Sequence, residues 1–281
     1  MTRKALLDGY YDHSTSLHLR NPWYREQVER YVLAAMRSDA ASDLTSKKII
    51  PRQHRSQAMI RQNEPGVLAG LEEVDWLLRE HNITRKKLKL VGRSRDLLAV
   101  ERTLLNTLQR LSGIATATQR LVRKVGKYPL IAATRKTQWG ALDKRAVALG
   151  GGYTHRLGLF DGILVKDNHL ALADHDTLRR VRWGKQLAAL EISSISELKR
   201  AVIHYPQFQI LLLDNFSPEK VKTIVRWLTE QKLRKKYILE ASGGITPLTI
   251  VQYAKTGVDV LSIGYLTHSS PALDLSLDIL P

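Results

Sequence analysis

The sequence predicts an α/β protein, with a parallel sheet in its second part and a separate α+β domain before it. Three observations carry this. Short apolar runs recur from about residue 129 onward, helix-period stretches separate them, and the pattern is different before about residue 105. Runs that are apolar throughout, rather than alternating, suit strands buried on both faces. Repeated β–α units imply a parallel sheet, either doubly wound or closed into a barrel.

In chain order, the first part offers a helix candidate, YREQVERYVLAAMR, followed by the turn SDLTS. Strand candidates lie near 48–51, 56–61 and 88–92, and EPGVLAGLEEVDWLLREH reads as a turn and a helix. ERTLLNTLQRLSGIATATQRLVRKV (101–125) is a long helical pattern leading into the second part. The strands there are PLIAAT (129–134), GILVK (162–166), QLAALEI (186–192), FQILLLD (208–214), YILEAS (237–242) and VDVLSIG (258–264). Between them, SSISELKRAVIHY (193–205) and SPEKVKTIVRWLTEQKL (217–233) are amphipathic. The latter opens on Ser217 and Pro218, an N-cap followed by proline at N1. There is no internal repeat and no low-complexity tract.

Composition bounds the function. With 281 residues, 43% apolar and 25% charged, the chain is a folded protein rather than a disordered one. It contains no cysteine, which excludes disulfides, thiolate catalysis and Cys-type zinc sites. The nine histidines show no metal-ligand spacing of the HExxH kind. No window approaches about 18 consecutive apolar residues, which argues against a membrane span. The start lacks the apolar stretch of a secretory signal, so a cytoplasmic protein is expected. Lys and Arg number 44 against 27 Asp and Glu, a net charge of +17 whose field attracts anions. The densest basic groups, RKKLK (85–89) and KLRKK (232–236), read as solvated surface.

The chemistry gathers at the ends of the predicted strands. Arg135 and Lys136 follow the first, Lys166 ends the second, Glu191 lies in the third and Asp214 ends the fourth. Ser242, Gly243 and Gly244 close the fifth, and Ser262 and Gly264 the sixth. Barrel enzymes assemble their sites from loops at the C-terminal ends of different strands. The cations Arg102, Arg135, Lys136, Arg156 and Lys166 would repel one another at one mouth unless an anion joined them. SGGIT places two glycines before an expected helix start, a backbone cradle for phosphate. Glu191 and Asp214 suit Mg²⁺, sugar hydroxyls or a positively charged transition state. The GGG at 150–152 fits no nucleotide-binding fingerprint and reads as a tight turn before His155 and Arg156. His155 is either a ligand-binding group or a structural one, and His169 reads as structural. Trp23, Trp76, Trp183 and Trp227 read as packing residues, whereas Trp139 lies in a loop after Lys136.

At this point the segments become recognisable. ERTLLNTLQRLSGIAT, TRKT, GGGYTHRLGLFDGILVKDNH, LLLDNF, EASGGI and GVDVLSIGYLTHS, with the earlier SDLTS and EPGVLAGLE, resemble quinolinate phosphoribosyltransferases over roughly residues 40–275. The resemblance implies an N-terminal α/β sandwich domain and an incomplete TIM-like α/β barrel, with the domains at 1–105 and 106–271 and a tail at about 272–281 packing back on the first. It implies a homodimer in which the neighbouring subunit completes each site through Arg102. The implied reaction joins quinolinate to 5-phosphoribosyl-1-pyrophosphate with Mg²⁺, giving nicotinate mononucleotide, pyrophosphate and CO₂. Carried over by motif, Lys136, Lys166, Glu191 and Asp214 are the catalytic candidates. Arg135, Lys136, His155, Arg156 and Lys166 bind carboxylates and phosphates, Glu191 and Asp214 face ribose and Mg²⁺, and Ser242, Gly243, Gly244, Ser262 and Gly264 cradle the 5-phosphate.

The chain also departs from that family. Ala133 stands where Asp is usual, Trp139-Gly140 where Pro-Gly is common, the following loop is about two residues shorter, and Ala189 replaces a glutamate. The segment before residue 40 matches nothing recognisable. Two rival readings compete: a paralogous phosphoribosyltransferase-like protein associated with molybdenum transport, and a basic nucleic-acid-binding protein. The intact HRLGLFDGILVKDNH argues against the first, and the absence of any helix-turn-helix, RNA-recognition or zinc-finger signature argues against the second.

Overall fold

The computed structural model describes residues 2–39, 43–184 and 186–280. The chain divides into two compact units, one formed by Met1–Ser14, Thr118–Thr137 and Gly151–Ser269, the other by Thr15–Ala117, Gln138–Gly150 and Ser270–Pro281. This division differs from the expected boundary at 105/106, because the first fourteen residues group with the barrel and 138–150 with the other unit.

Helix α1 (Arg3–Tyr11) belongs to the barrel unit. The other unit begins with α2 (Pro22–Val28), capped by the Asn21 side chain, and continues through a π-helical turn at Glu29–Leu33 into α3 (Ala34–Asp39). Next comes α4 (Leu44–Ile49), whose N-cap Asp43 accepts from the Ser46 N–H at 2.8 Å. This corrects two expectations. SDLTS leads into a helix rather than forming a free turn (its Ser42 lies outside the described residues), and no strand forms near 48–51. The cap satisfies a helix-end donor, while Leu44 and Ile49 stay exposed and so give no burial to a strand. Strand β1 (Arg55–Gln62), α5 (Leu71–Glu80), β2 (Thr84–Lys86), β3 (Lys89–Arg93) and the long α6 (Ser94–Val125) follow. The C-terminal strand Leu275–Leu280 pairs antiparallel with β1, from Gln57 opposite Leu280 to Gln62 opposite Leu275, and β3 flanks β1 on the other side. Gly113 lets the chain pass close over α6, since a Cβ there would lie 2.1 Å from the Pro271 carbonyl oxygen.

The barrel unit contains all six expected strands, each trimmed at its ends. They are β4 (Leu130–Ala132), β5 (Ile163–Val165), β6 (Ala188–Ile192), β7 (Ile210–Asp214), β8 (Ile238–Ser242) and β9 (Val260–Ser262). Helix α7 (Ala141–Leu149) groups with the other unit. The remaining helices are α8 (Asp167–Leu172), α9 (His175–Arg180), α10 (Ile195–His204), α11 (Pro218–Glu230), α12 (Ile250–Ala254) and α13 (Tyr265–His268). Ser217 caps α11 by accepting from the Lys220 N–H, with Pro218 at N1 as expected. All strands are parallel in the order β4-β9-β8-β7-β6-β5, so β4 and β5 are edges that do not pair with each other. The architecture is an incomplete α/β barrel.

The N-terminal helix has its place in that incomplete barrel. Leu7, Tyr10 and Tyr11 of α1 form one buried cluster with Ala132, Leu164, Ala189, Ile210, Leu212, Ile238 and Val260, which come from all six strands. The Tyr10 hydroxyl donates to the Ile163 carbonyl of β5 at 2.9 Å, and the Tyr11 carbonyl accepts from the His155 N–H at 2.8 Å. The segment at Tyr153 bridges β4. Helix α1 therefore bonds directly to the β5 edge, reaches the β4 edge through the 153–155 segment, and fills the interior with apolar side chains. Ala189 is fully buried in this cluster, so the departure from glutamate suits an interior occupied by α1.

Candidate active site

Inward-facing residues of a strand recur every second position, and the barrel interior is layered accordingly. Ala189, Ile210, Ile238 and Val260 pack against α1, whereas Glu191, Leu212, Glu240 and Ser262, two residues further along, line a cavity of about 270 Å³. Above them, the strand ends and following loops contribute Lys166, Asp214, Asn215, Ser242, Gly243 and Gly244. Thr134, Arg135, Lys136, His155, Arg156 and Leu164 complete the lining. On β6 and β8 the step is from apolar to carboxylate and on β9 to a hydroxyl, whereas Leu212 of β7 stays apolar and also belongs to the cluster around α1.

Eleven of the thirteen site residues named from the sequence line this one cavity. Gly264 sits just behind, where an added Cβ would approach the Lys136 side chain at 3.4 Å. Arg102 is exposed on the portion of α6 in the other unit and is not among the lining residues. His169 is exposed and caps α8, its Nδ1 accepting from the Lys166 N–H at 3.0 Å, as its structural reading anticipated. Trp139 stacks on Tyr31 beneath the Arg110 guanidinium, within the unit that contains all three. Thr134, Leu164, Leu212, Asn215 and Glu240 were not anticipated. Glu240 had a readable signal, a lone carboxylate inside the apolar run YILEAS.

The charges are unevenly paired. Lys166 Nζ meets Glu191 Oε2 at 2.5 Å. Among the described residues, Arg135, Lys136 and Arg156 have no carboxylate within ion-pair distance. Arg156 is 4% exposed and spends one N–H on the Gly162 carbonyl at 2.9 Å. Burial, and repulsion from Arg135, hold its guanidinium below the ordinary arginine value. Asp161 and Glu240 attract it from beyond ion-pair distance, and a buried guanidinium with no carboxylate in contact costs free energy that a bound anion recovers.

Glu240 is fully buried beneath these cations. Tyr11 OH donates to Oε2 at 2.7 Å, and His155 Nε2 lies 3.1 Å from Oε1. Desolvation pushes the carboxyl upward, but the hydrogen bonds from His155 Nε2 and the Tyr11 hydroxyl bring it below the usual glutamate value.

Also in the lining, Gly243 and Gly244 take positive φ angles of 86° and 63°. A Cβ on Gly243 would lie 2.1 Å from Asn215 Oδ1, so only glycine fits. The helix expected directly after them is absent. A turn tied by Thr246 and Thr249 intervenes, and α12 starts only at Ile250. The cradle is thus a left-handed backbone turn, a conformation whose successive N–H groups suit an anion, rather than a helix terminus.

The chain is similar to known proteins over most of its length. The family model for the quinolinate phosphoribosyl transferase C-terminal domain matches residues 114–278, and that for its N-terminal domain matches 43–112. The chain is 40% identical over 264 residues to a protein of Methanothermobacter thermautotrophicus named "Probable nicotinate-nucleotide pyrophosphorylase (carboxylating)", covering 84% of this chain and 93% of that one. Against the nicotinate-nucleotide pyrophosphorylase (carboxylating) of Mycobacterium leprae it is 36% identical over 268 residues, with coverage of 84% and 91%. The solved nicotinate-nucleotide pyrophosphorylase of Francisella tularensis superposes with a TM-score of 0.79 at 31% identity, covering 91% of this chain and 96% of that one.

Proposed function

The chain belongs to the quinolinate phosphoribosyltransferase family, and from that premise we propose how its residues divide the work. The reaction transfers phosphoribosyl from 5-phosphoribosyl-1-pyrophosphate to quinolinate with decarboxylation, yielding nicotinate mononucleotide for NAD biosynthesis. One observation carries the assignment of roles: three cations without an ion-pair partner, Arg135, Lys136 and Arg156, line one cavity together with a glycine turn at Gly243 and Gly244.

The Arg156 fork binds a quinolinate carboxylate, with Arg135 and Lys136 contributing further positive charge to the dianion. Lys166, held by Glu191, reaches the same space. Ser242, Gly243, Gly244 and Ser262 take the 5-phosphate, and Glu191 and Asp214 face the ribose. As pyrophosphate departs, C1 of the ribose gains oxocarbenium character, which those two carboxylates stabilise electrostatically. The pyridine nitrogen attacks C1, so no protein nucleophile is needed. As the 2-carboxylate departs as CO₂, the positive ring nitrogen stabilises the electron pair left on C2, which then takes a proton from solvent to give nicotinate mononucleotide. Alignment of two bound reactants supplies a large part of the acceleration.

Mg²⁺ belongs to the proposal. Among the described residues no group of three or more metal-ligating side chains is assembled, and the cavity offers Glu191, already paired, and Asp214. That donor set fits an ion carried largely by the donor's pyrophosphate, where it supplies charge neutralisation, rather than a protein cage. A homodimer is proposed too, with Arg102 serving the neighbouring subunit's cavity. Its support is the exposure of Arg102 and its absence from the cavity lining of its own chain.

The test is calorimetric titration of quinolinate into wild-type protein and Arg156→Ala. Saturable binding that weakens at least about tenfold in the variant is expected, the scale of a lost charged hydrogen-bond pair. Equal binding to both would remove Arg156 from the acceptor site.

A further inference from the structure

Resting on that reading of the cavity, we infer that Tyr11 of the N-terminal helix is a positioning residue of the site, acting through Glu240 on the His155–Arg156 turn. The chain of contacts is continuous. Tyr11 OH occupies Oε2 of Glu240 at 2.7 Å, while His155 Nε2 faces Oε1 at 3.1 Å, so both carboxylate oxygens are held. On the other side of the ring, Nδ1 accepts from the Arg156 N–H at 2.7 Å. An accepting Nδ1 places the ring proton on Nε2, where it is donated to Glu240. Both ring nitrogens are then engaged, and His155, 6% exposed, has no N–H left for a carboxylate ligand. Its place among the ligand-binding candidates becomes that of a brace.

What it braces is strained backbone. His155 has φ +54°, a left-handed conformation that costs a non-glycine residue free energy and persists where surroundings over-determine it. Helix α1 supplies those surroundings. The Tyr11 carbonyl accepts from the His155 N–H at 2.8 Å and from Thr154 Oγ1 at 3.0 Å, and the Tyr10 and Tyr11 rings pack edge-on against the imidazole. Arg156, the next residue, projects from this turn into the cavity. A segment that matched nothing recognisable in sequence therefore sets the aim of the acceptor-binding guanidinium.

The experiment compares wild type, Tyr11→Phe, Glu240→Gln and the double variant. The kinetic readouts are KM for quinolinate, KM for the phosphoribosyl donor and kcat. The ring readout is the ¹⁵N spectrum of labelled histidines. Expected are a neutral, Nε2-protonated His155 ring in wild type and a rise of about fivefold in KM for quinolinate in Tyr11→Phe. KM for the donor should stay unchanged, and the double variant should be no worse than Glu240→Gln, because both act along one chain of contacts. A wild-type ring protonated on Nδ1, or a Tyr11→Phe enzyme with unaltered KM for quinolinate, overturns the inference. A wild-type protein that ignores quinolinate would instead overturn the functional reading, and the ring tautomer would still decide the positioning claim.

Discussion

At the scale of single residues, the site is organised around groups that are costly to bury alone. Beyond the Nη1–H it gives to the Gly162 carbonyl, Arg156 has further N–H groups for a carboxylate, and Arg156→Lys retains the charge while losing bidentate geometry. We expect that variant to raise KM for quinolinate about tenfold with little change in KM for the donor, measured by initial rates. Glu240 gives a pH prediction. Its folded-state pKa lies below the unfolded value of 4.5, so it contributes stability above that value, which is lost as pH falls through the folded value. Glu240→Gln should therefore cost about 1.5–3 kcal/mol in urea denaturation at pH 7, and the gap to wild type should narrow below pH 4.5. Residues at strand ends were legible in the sequence because a charge that closes an apolar run marks where a buried strand leaves the core. Glu240 was not legible in that way, because which face of a strand a mid-run residue occupies depends on the register of the whole barrel.

At the scale of elements, the six strands could be read because parallel strands buried on both faces leave continuous apolar runs. Their exact ends could not, since ladder pairing rather than composition sets them. The stretch at 44–49 misled for a related reason: its apolar residues are exposed, and the Asp43 cap decides the helix. Helix α1 lay beyond sequence reading altogether, because a nine-residue helix takes its stability from packing it cannot announce locally. Its Leu7 is 2% exposed within the barrel cluster. Leu7→Ala should destabilise the protein by about 2–4 kcal/mol, seen as a lowered midpoint in thermal or denaturant unfolding. An unchanged midpoint would mean that α1 does not fill the barrel in solution.

At the scale of the whole molecule, two properties extend beyond the cavity. The net charge of +17, with exposed Arg135 and Lys136 at the mouth, should draw polyanionic substrates toward the site. KM for the phosphoribosyl donor should therefore rise several-fold as salt increases from about 50 to 300 mM, in step with the shortening Debye length. The proposed homodimer makes a sharper demand. If Arg102 serves the neighbouring cavity, mixing Arg102→Ala and Lys136→Ala proteins, each inactive alone, should restore about a quarter of wild-type activity after subunit exchange, since hybrid dimers regain one intact site. A mixture that stays inactive after exchange would place Arg102 elsewhere.

The most direct test of the central claim is a single turnover with quinolinate labelled in its 2-carboxylate, 5-phosphoribosyl-1-pyrophosphate and Mg²⁺. Equal yields of labelled CO₂ and nicotinate mononucleotide, abolished in Lys136→Ala, are the predicted result. Tight binding of the phosphoribosyl donor with no CO₂ released would contradict it, leaving the barrel and its phosphate cradle but assigning the three cations to a different acceptor.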